Sequence, residues 1–180
     1  MAGSDPSYVL IVSGPPGGGK TTLARRLAQT SPTRAVHLHT DDFYDAIKSG
    51  FIQPWLKESH GQNTVVTHAI AAAAVAFAQG GYAVMLDGVV GPWLLPTYRS
   101  EAAAAGVPLH YVVLRPDQET ARMRARDRSH MPITEYPPGL FEQFADLGSF
   151  ERYAIDNTAV GLGTLAANVA AGVSDGSFRL

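Results

Sequence analysis

The sequence predicts an α/β fold in three layers: a parallel five-stranded sheet with helices on both faces and a lid segment. Three observations carry this expectation. Short apolar runs rich in β-branched residues recur along the chain, and stretches with helical spacing separate them. The runs are apolar throughout rather than alternating, which suits strands covered on both faces and therefore a parallel sheet joined by right-handed crossovers. Finally, 180 residues fit one domain and suffice to bury a core without staples.

The elements follow in order. Tyr8-Val9-Leu10-Ile11-Val12 is the first strand. A glycine-rich turn leads into a helix over 21–29, where Leu23, Ala24, Leu27 and Ala28 repeat at helical spacing. Residues 35–39 read as the second strand and 63–79 as an alanine-rich buried helix, stopped by Gly80-Gly81. Residues 83–86 form the third strand. A helical stretch around 97–105 precedes the fourth, 109–114, which Arg115-Pro116 ends. Asp117 caps a helix reaching Arg126. A short fifth strand over 153–155 and a closing helix over 162–171 complete the series. The stretch 128–139 carries three prolines and is the expected irregular segment, so a lid is drawn over about 116–139. The remaining residues are too few for a second domain, and 1–180 is read as one unit.

Composition narrows the function. The net charge is −2, with 46% apolar and 17% charged residues, so no global pull toward nucleic acid or an anionic membrane is expected. Cysteine is absent, which excludes disulfides, thiolate nucleophiles and cysteine-ligated metals. Residues 1–7 lack the basic-then-apolar pattern of a signal peptide, and no apolar run reaches the roughly 18 residues of a membrane span. The expectation is a cytoplasmic protein, monomer or homodimer, with no membrane and no nucleic-acid partner.

The residues just beyond each strand's carboxyl end are where such sheets bind ligands. Gly14-Pro15-Pro16-Gly17-Gly18-Gly19-Lys20-Thr21 matches G-x-x-x-x-G-K-[ST] in full, after a strand and opening a helix. Its glycines let successive N–H groups converge on one phosphate, and the helix N-terminus adds a favourable dipole. Lys20 supplies charge to the β- and γ-phosphates, the Thr21 hydroxyl is a Mg²⁺ ligand, and Thr22 follows in the same turn. ATP with Mg²⁺ is the expected cofactor pair.

Two strand ends carry acids. Asp41, in Thr40-Asp41-Asp42-Phe43-Tyr44, is placed to accept the proton of an attacking hydroxyl or to hold Mg²⁺, whereas Asp42 reads as a cap or secondary contact. Asp87 ends an apolar strand, the position of a Walker B acid that orients Mg²⁺ or its water. Arg115, Arg122, Arg124, Arg126 and Arg128 crowd one stretch. A lid helix there brings guanidinium groups onto the transferred phosphoryl, and Arg124 and Arg128 lie nearest the irregular segment. A solvated basic face and a nucleic-acid patch are the competing readings. Phe43, Tyr44, Phe51, Trp55, His60, Gln62 and Asn63 either stack on and hydrogen-bond an acceptor or simply pack an insertion. His37 and His39 share a strand face; with no third ligand evident, a structural role outweighs a metal site. Trp93 is expected to pack beside the Asp87 turn.

Together these residues resemble the P-loop kinases that phosphorylate small hydroxyl compounds, a group including chloramphenicol phosphotransferase, zeta toxins, gluconate and shikimate kinases and the kinase domain of polynucleotide kinase. The resemblance rests on the P-loop, Thr40-Asp41-Asp42-Phe43-Tyr44, Leu86-Asp87-Gly88 and the arginine helix. It implies a nucleoside-monophosphate-kinase-like fold and a small-molecule hydroxyl acceptor. The strand-end Asp-Asp-aromatic string is similar to segments of polynucleotide, uridine and nicotinamide riboside kinases, which implies a base or metal role for Asp41. Two alternatives stand beside it. A GTPase-like switch lacks support, because none of Lys20, Lys48 and Lys57 lies in an Asn/Thr-Lys-x-Asp context. A kinase for nucleic-acid 5′ ends keeps the chemistry but needs a basic groove.

Overall fold

In the computed structural model, which describes residues 7–126 and 139–180, five parallel strands form one sheet. In chain order the elements are β1 (Tyr8–Ser13), α1 (Lys20–Gln29), β2 (Ala35–His39), α2 (Thr40–Asp45), α3 (His60–Gln79), β3 (Ala83–Asp87), α4 (Leu95–Ala104), β4 (Leu109–Leu114), α5 (Gln118–Arg126), α6 (Leu140–Ala145), β5 (Ala154–Ile155) and α7 (Leu162–Asp175). Short 3₁₀ turns occupy Lys57–Ser59, Pro92–Leu94 and Gly148–Tyr153. The strand order is β2-β3-β1-β4-β5.

The continuous apolar runs divide by parity, as the two-residue period of a strand requires. Val9 and Ile11, Val84 and Leu86, and Tyr111 and Val113 bury toward a cluster shared with α3 and α4. Leu10 and Val12, Ala83 and Met85, and Val112 and Leu114 bury toward the opposite cluster, with Leu23 and Leu27 of α1 and Leu165 and Val169 of α7. Both faces are therefore covered, and the strand ends are left to carry polar chemistry.

Several boundaries differ from the sequence expectation. β5 holds only two residues, because Tyr153 belongs to the 3₁₀ turn before it. α7 runs on to Asp175, and α3 starts three residues earlier than expected. α6, six residues long, is outside the expected elements, and α2, equally short, enters the expectation only through the reading of Asp42 as a cap; its cap position is His39. Asp117 does cap α5: its carboxylate accepts the Thr120 N–H at 2.7 Å. Of the lid drawn over 116–139, only 116–126 and Gly139 fall within the described residues. The final residues turn back on the sheet. Tyr111 N–H donates to Phe178 O and Leu180 N–H to Leu109 O, so this segment lies antiparallel along the early half of β4 while β5 pairs with the late half.

Candidate active site

The carboxyl ends of β1, β2 and β3 meet because the register aligns Val12 with Asp87 and Asp87 with His39. The loop after β1 is braced from beside it: Ser13 Oγ donates to Val90 O at 2.7 Å and accepts the Val90 N–H at 3.0 Å. Gly14, Pro15, Pro16, Gly17 and Gly18 are buried. Gly17 has φ +74, and a Cβ there would stand 1.9 Å from the Ala121 carbonyl oxygen, so only glycine lets the loop lie this close to α5. Gly19, also left-handed, precedes Lys20, the first residue of α1. Lys20 is buried, and its ammonium folds back over the loop to donate to Pro15 O at 2.9 Å. Thr22 is exposed on α1.

Thr21 points its hydroxyl across to β3 and donates to Asp87 Oδ2 at 2.6 Å. Asp87 is completely buried. His37 Nε2 donates to its Oδ1 at 2.5 Å, and His39 Nδ1 lies 3.1 Å from Oδ2. The other His39 nitrogen, Nε2, faces Asp41 Oδ2 at 3.3 Å. An imidazole satisfies two carboxylates only when both ring nitrogens carry protons. In accord with this, the bonds to Asp41 and then Asp87 raise the His39 pKa to about 10, against the opposing effect of burial. Burial pushes the Asp87 carboxyl up, but hydrogen bonds from His37, His39 and Thr21 outweigh it and hold the group well below the usual range. The His39 bond likewise lowers Asp41, helped by the charge of Lys20. The carboxylate of Asp41 is 69% exposed, so a solute can reach it.

Thr21 and Asp87 offer hard oxygen donors 2.6 Å apart beside the phosphate loop, a set that fits Mg²⁺ completed by water and phosphate oxygens. The two histidines are committed to carboxylates, and among the described residues no group of three His, Asp or Glu side chains is arranged to hold a metal. His37 reaches Asp87, and His39 reaches both Asp87 and Asp41. The register brings this about, since His39 stands directly opposite Asp87 on a neighbouring parallel strand.

Other candidates fall in different places. Arg124 donates to the carbonyls of Asn157 and Thr158 at 3.2 and 3.1 Å, so its guanidinium holds the loop after β5. Arg128 lies outside the described residues. Arg115 is engaged by Glu151 and by the carbonyls of Phe144 and Ala145, fastening α6 to the sheet. Gln62 and Asn63 serve the insertion: Gln62 grips both backbone groups of Ile52, at 2.8 and 2.6 Å, while Asn63 donates to Pro54 O and Ser59 Oγ. Their amides are therefore packing groups, whereas Phe51 and Trp55 stay exposed. Asp42 is exposed in the first turn of α2 and makes no side-chain cap bond. Trp93 lies over Gly91, half exposed, and its ring tilts against Phe144.

Asn157 was missed by the sequence reading. It is 97% buried, and its Nδ2 donates to Gly18 O at 2.9 Å, bracing the phosphate loop from the end of β5. Its place just after a strand end was the available signal.

No curated protein matches the sequence. Among solved structures, the tunicamycin resistance protein of Deinococcus radiodurans is similar at 18% identity and TM-score 0.69, covering 93% of this chain and 95% of its own. A gluconokinase from Sinorhizobium meliloti is similar at 15% identity and TM-score 0.66, covering 96% and 94%. The APS kinase of Mycobacterium tuberculosis is similar at 16% identity and TM-score 0.63, covering 94% and 98%. At these identities the likeness establishes the fold alone, a parallel sheet with helices on both faces and a phosphate loop after the first strand. Residues 9–139, well over half of the chain, match the family described as an AAA domain. The chain accordingly belongs to the family described as an AAA domain, with the three-layer fold of a P-loop NTPase.

Proposed function

We propose that this protein is an ATP- and Mg²⁺-dependent kinase that transfers the γ-phosphoryl group to a hydroxyl of a small molecule. The observation that carries the reading is the convergence of Lys20, Thr21 and Asp87 at the phosphate loop with an exposed carboxylate, Asp41, beside them. The loop amides of 14–19, Lys20 and the first turn of α1 hold the phosphates. Thr21 and Asp87 would hold a magnesium ion, which would supply positive charge to offset that of the phosphates. Asp41 orients the acceptor hydroxyl and takes its proton as the acceptor oxygen bonds to the γ-phosphorus. The bond from that phosphorus to the β-bridging oxygen breaks, and ADP leaves with the electron pair. Arg124 and Arg128 are assigned to neutralising charge on the transferred phosphoryl group, which requires the Arg124 guanidinium to leave the carbonyls of Asn157 and Thr158. Use of ATP makes the cytoplasm the expected compartment.

The test is a screen of hydroxylated metabolites, nucleosides and antibiotics for acceptor-dependent ADP release, repeated with Asp41→Asn. The variant is expected to bind Mg-ATP as the wild type does in calorimetry while turning over about 100-fold more slowly. A wild type that takes up no Mg-ATP, or an Asp41→Asn enzyme of undiminished rate, overturns the reading.

A further inference from the structure

We propose that His39 is a positioning residue that sets the acceptor-side carboxylate Asp41 by anchoring it to the cation-side carboxylate Asp87. The inference rests on the kinase reading and deepens it. The two acids come from different elements: Asp87 from the last position of β3, Asp41 from the first turn of α2. Asp87 is buried and held on both oxygens by His37, His39 and Thr21, so it is a fixed point. Asp41 is largely exposed, and a side chain in that setting samples several rotamers unless something restrains it. Its side-chain contacts among the described residues are His39 Nε2 at 3.3 Å and the Thr40 hydroxyl at 3.4 Å, and the charge of Lys20 also acts on it.

The imidazole is suited to this work. It sits on β2, whose pairing with β3 puts His39 directly opposite Asp87. One nitrogen faces the fixed acid and the other faces the exposed one. A rigid ring of that length converts the position of a buried group into the position of a group at the mouth of the site, which is how a supporting shell confers precision on a reacting one. His37, two residues earlier on the same strand face, reaches Asp87 alone. It thus provides an internal comparison that touches the anchor without touching Asp41.

A double-mutant cycle tests the proposal, reading ADP release from Mg-ATP with water as the acceptor and, in parallel, Mg-ADP affinity by calorimetry. His39→Leu is expected to lower kcat about 10-fold or more, with KM for Mg-ATP and the Mg-ADP Kd within about threefold of wild type. His39→Gln, whose amide nitrogen can still donate to Asp41, is expected to recover part of the loss, and it also serves if the leucine variant fails to fold. The pair His39→Leu with Asp41→Asn should be no slower than Asp41→Asn alone, because the first change acts through the second residue. His37→Gln should instead multiply with Asp41→Asn. The proposal is overturned if the His39 and Asp41 effects multiply, if His39→Leu keeps wild-type kcat, or if its main effect is a loss of Mg-ADP affinity. Failure of the kinase reading looks different: the wild type itself then neither binds Mg-ADP nor releases ADP from Mg-ATP.

Discussion

Asp87 accepts hydrogen bonds from a hydroxyl and two imidazoles while fully out of contact with water, and its removal takes that acceptor from Thr21 and His37 and leaves His39 with Asp41 alone. Asp87→Ala is expected to cost about 3 kcal/mol of stability in urea unfolding, because a buried charge network loses its centre. Gly17 is constrained by space and by torsion at once. Gly17→Ala places a methyl group against the Ala121 carbonyl, so the loop or α5 must shift; we expect Mg-ADP affinity by calorimetry to fall about 10-fold or more with the sheet intact. The residues at this scale were unevenly legible. Lys20, Thr21, Asp87 and Asp41 could each be found from the strand-then-motif pattern, because their chemistry is tied to position along the chain. The partnership of His37 and His39 with Asp87 could not, since it depends on how β2 is slid against β3, and two histidines spaced by one residue look the same whichever register forms.

The phosphate loop is held by elements distant in the chain, and this governs what damages it. Asn157 reaches Gly18 from the turn after β5, and Arg124 of α5 grips the carbonyls of that same turn, so α5, the β5–α7 connection and the loop form one mechanical series. Asn157→Ala removes the only side-chain bond to Gly18 O among those of the described residues. It should weaken Mg-ADP binding by about 5- to 10-fold, near the 1–1.4 kcal/mol of one such bond, with a smaller change in melting temperature than Asp87→Ala. The strands were legible because apolar runs buried on both faces have no other common explanation. α2 and α6 were not, because six residues give less than two turns, too few for helical periodicity to register; packing against the sheet determines them instead. β5 was overdrawn for a related reason: Tyr153 has the composition of a strand residue, yet its hydroxyl donates to Arg179 O and fixes it in the turn before the strand.

At the scale of the whole molecule, the two faces of the sheet are sealed by separate apolar clusters, and the edge at β4 is shared between β5 and the returning residues 178–180. His110 lies beneath that return. It is 95% buried, its Nδ1 has no hydrogen-bond partner, and its ring meets Tyr8 edge-on at 5.6 Å. Burial, with the charge of Arg179 adding to it, lowers its pKa, so the folded chain keeps the ring neutral where the unfolded chain protonates it near 6.5. Protons therefore bind the unfolded state preferentially once the pH drops below about 6.5, and stability falls as acid is added. His39 acts in the opposite sense: its raised pKa contributes stability fully present below 6.5 and lost as the pH climbs toward 10, so it adds no acid loss. The lowered carboxyls of Asp41 and Asp87 matter only near and below the ordinary carboxylate range. Between pH 7.5 and 5.5 His110 therefore contributes an acid-driven decline. Melting curves across that interval should fall less steeply for His110→Phe than for the wild type, whatever the two absolute stabilities are. Parallel curves would place the ring's proton equilibrium outside the folding reaction.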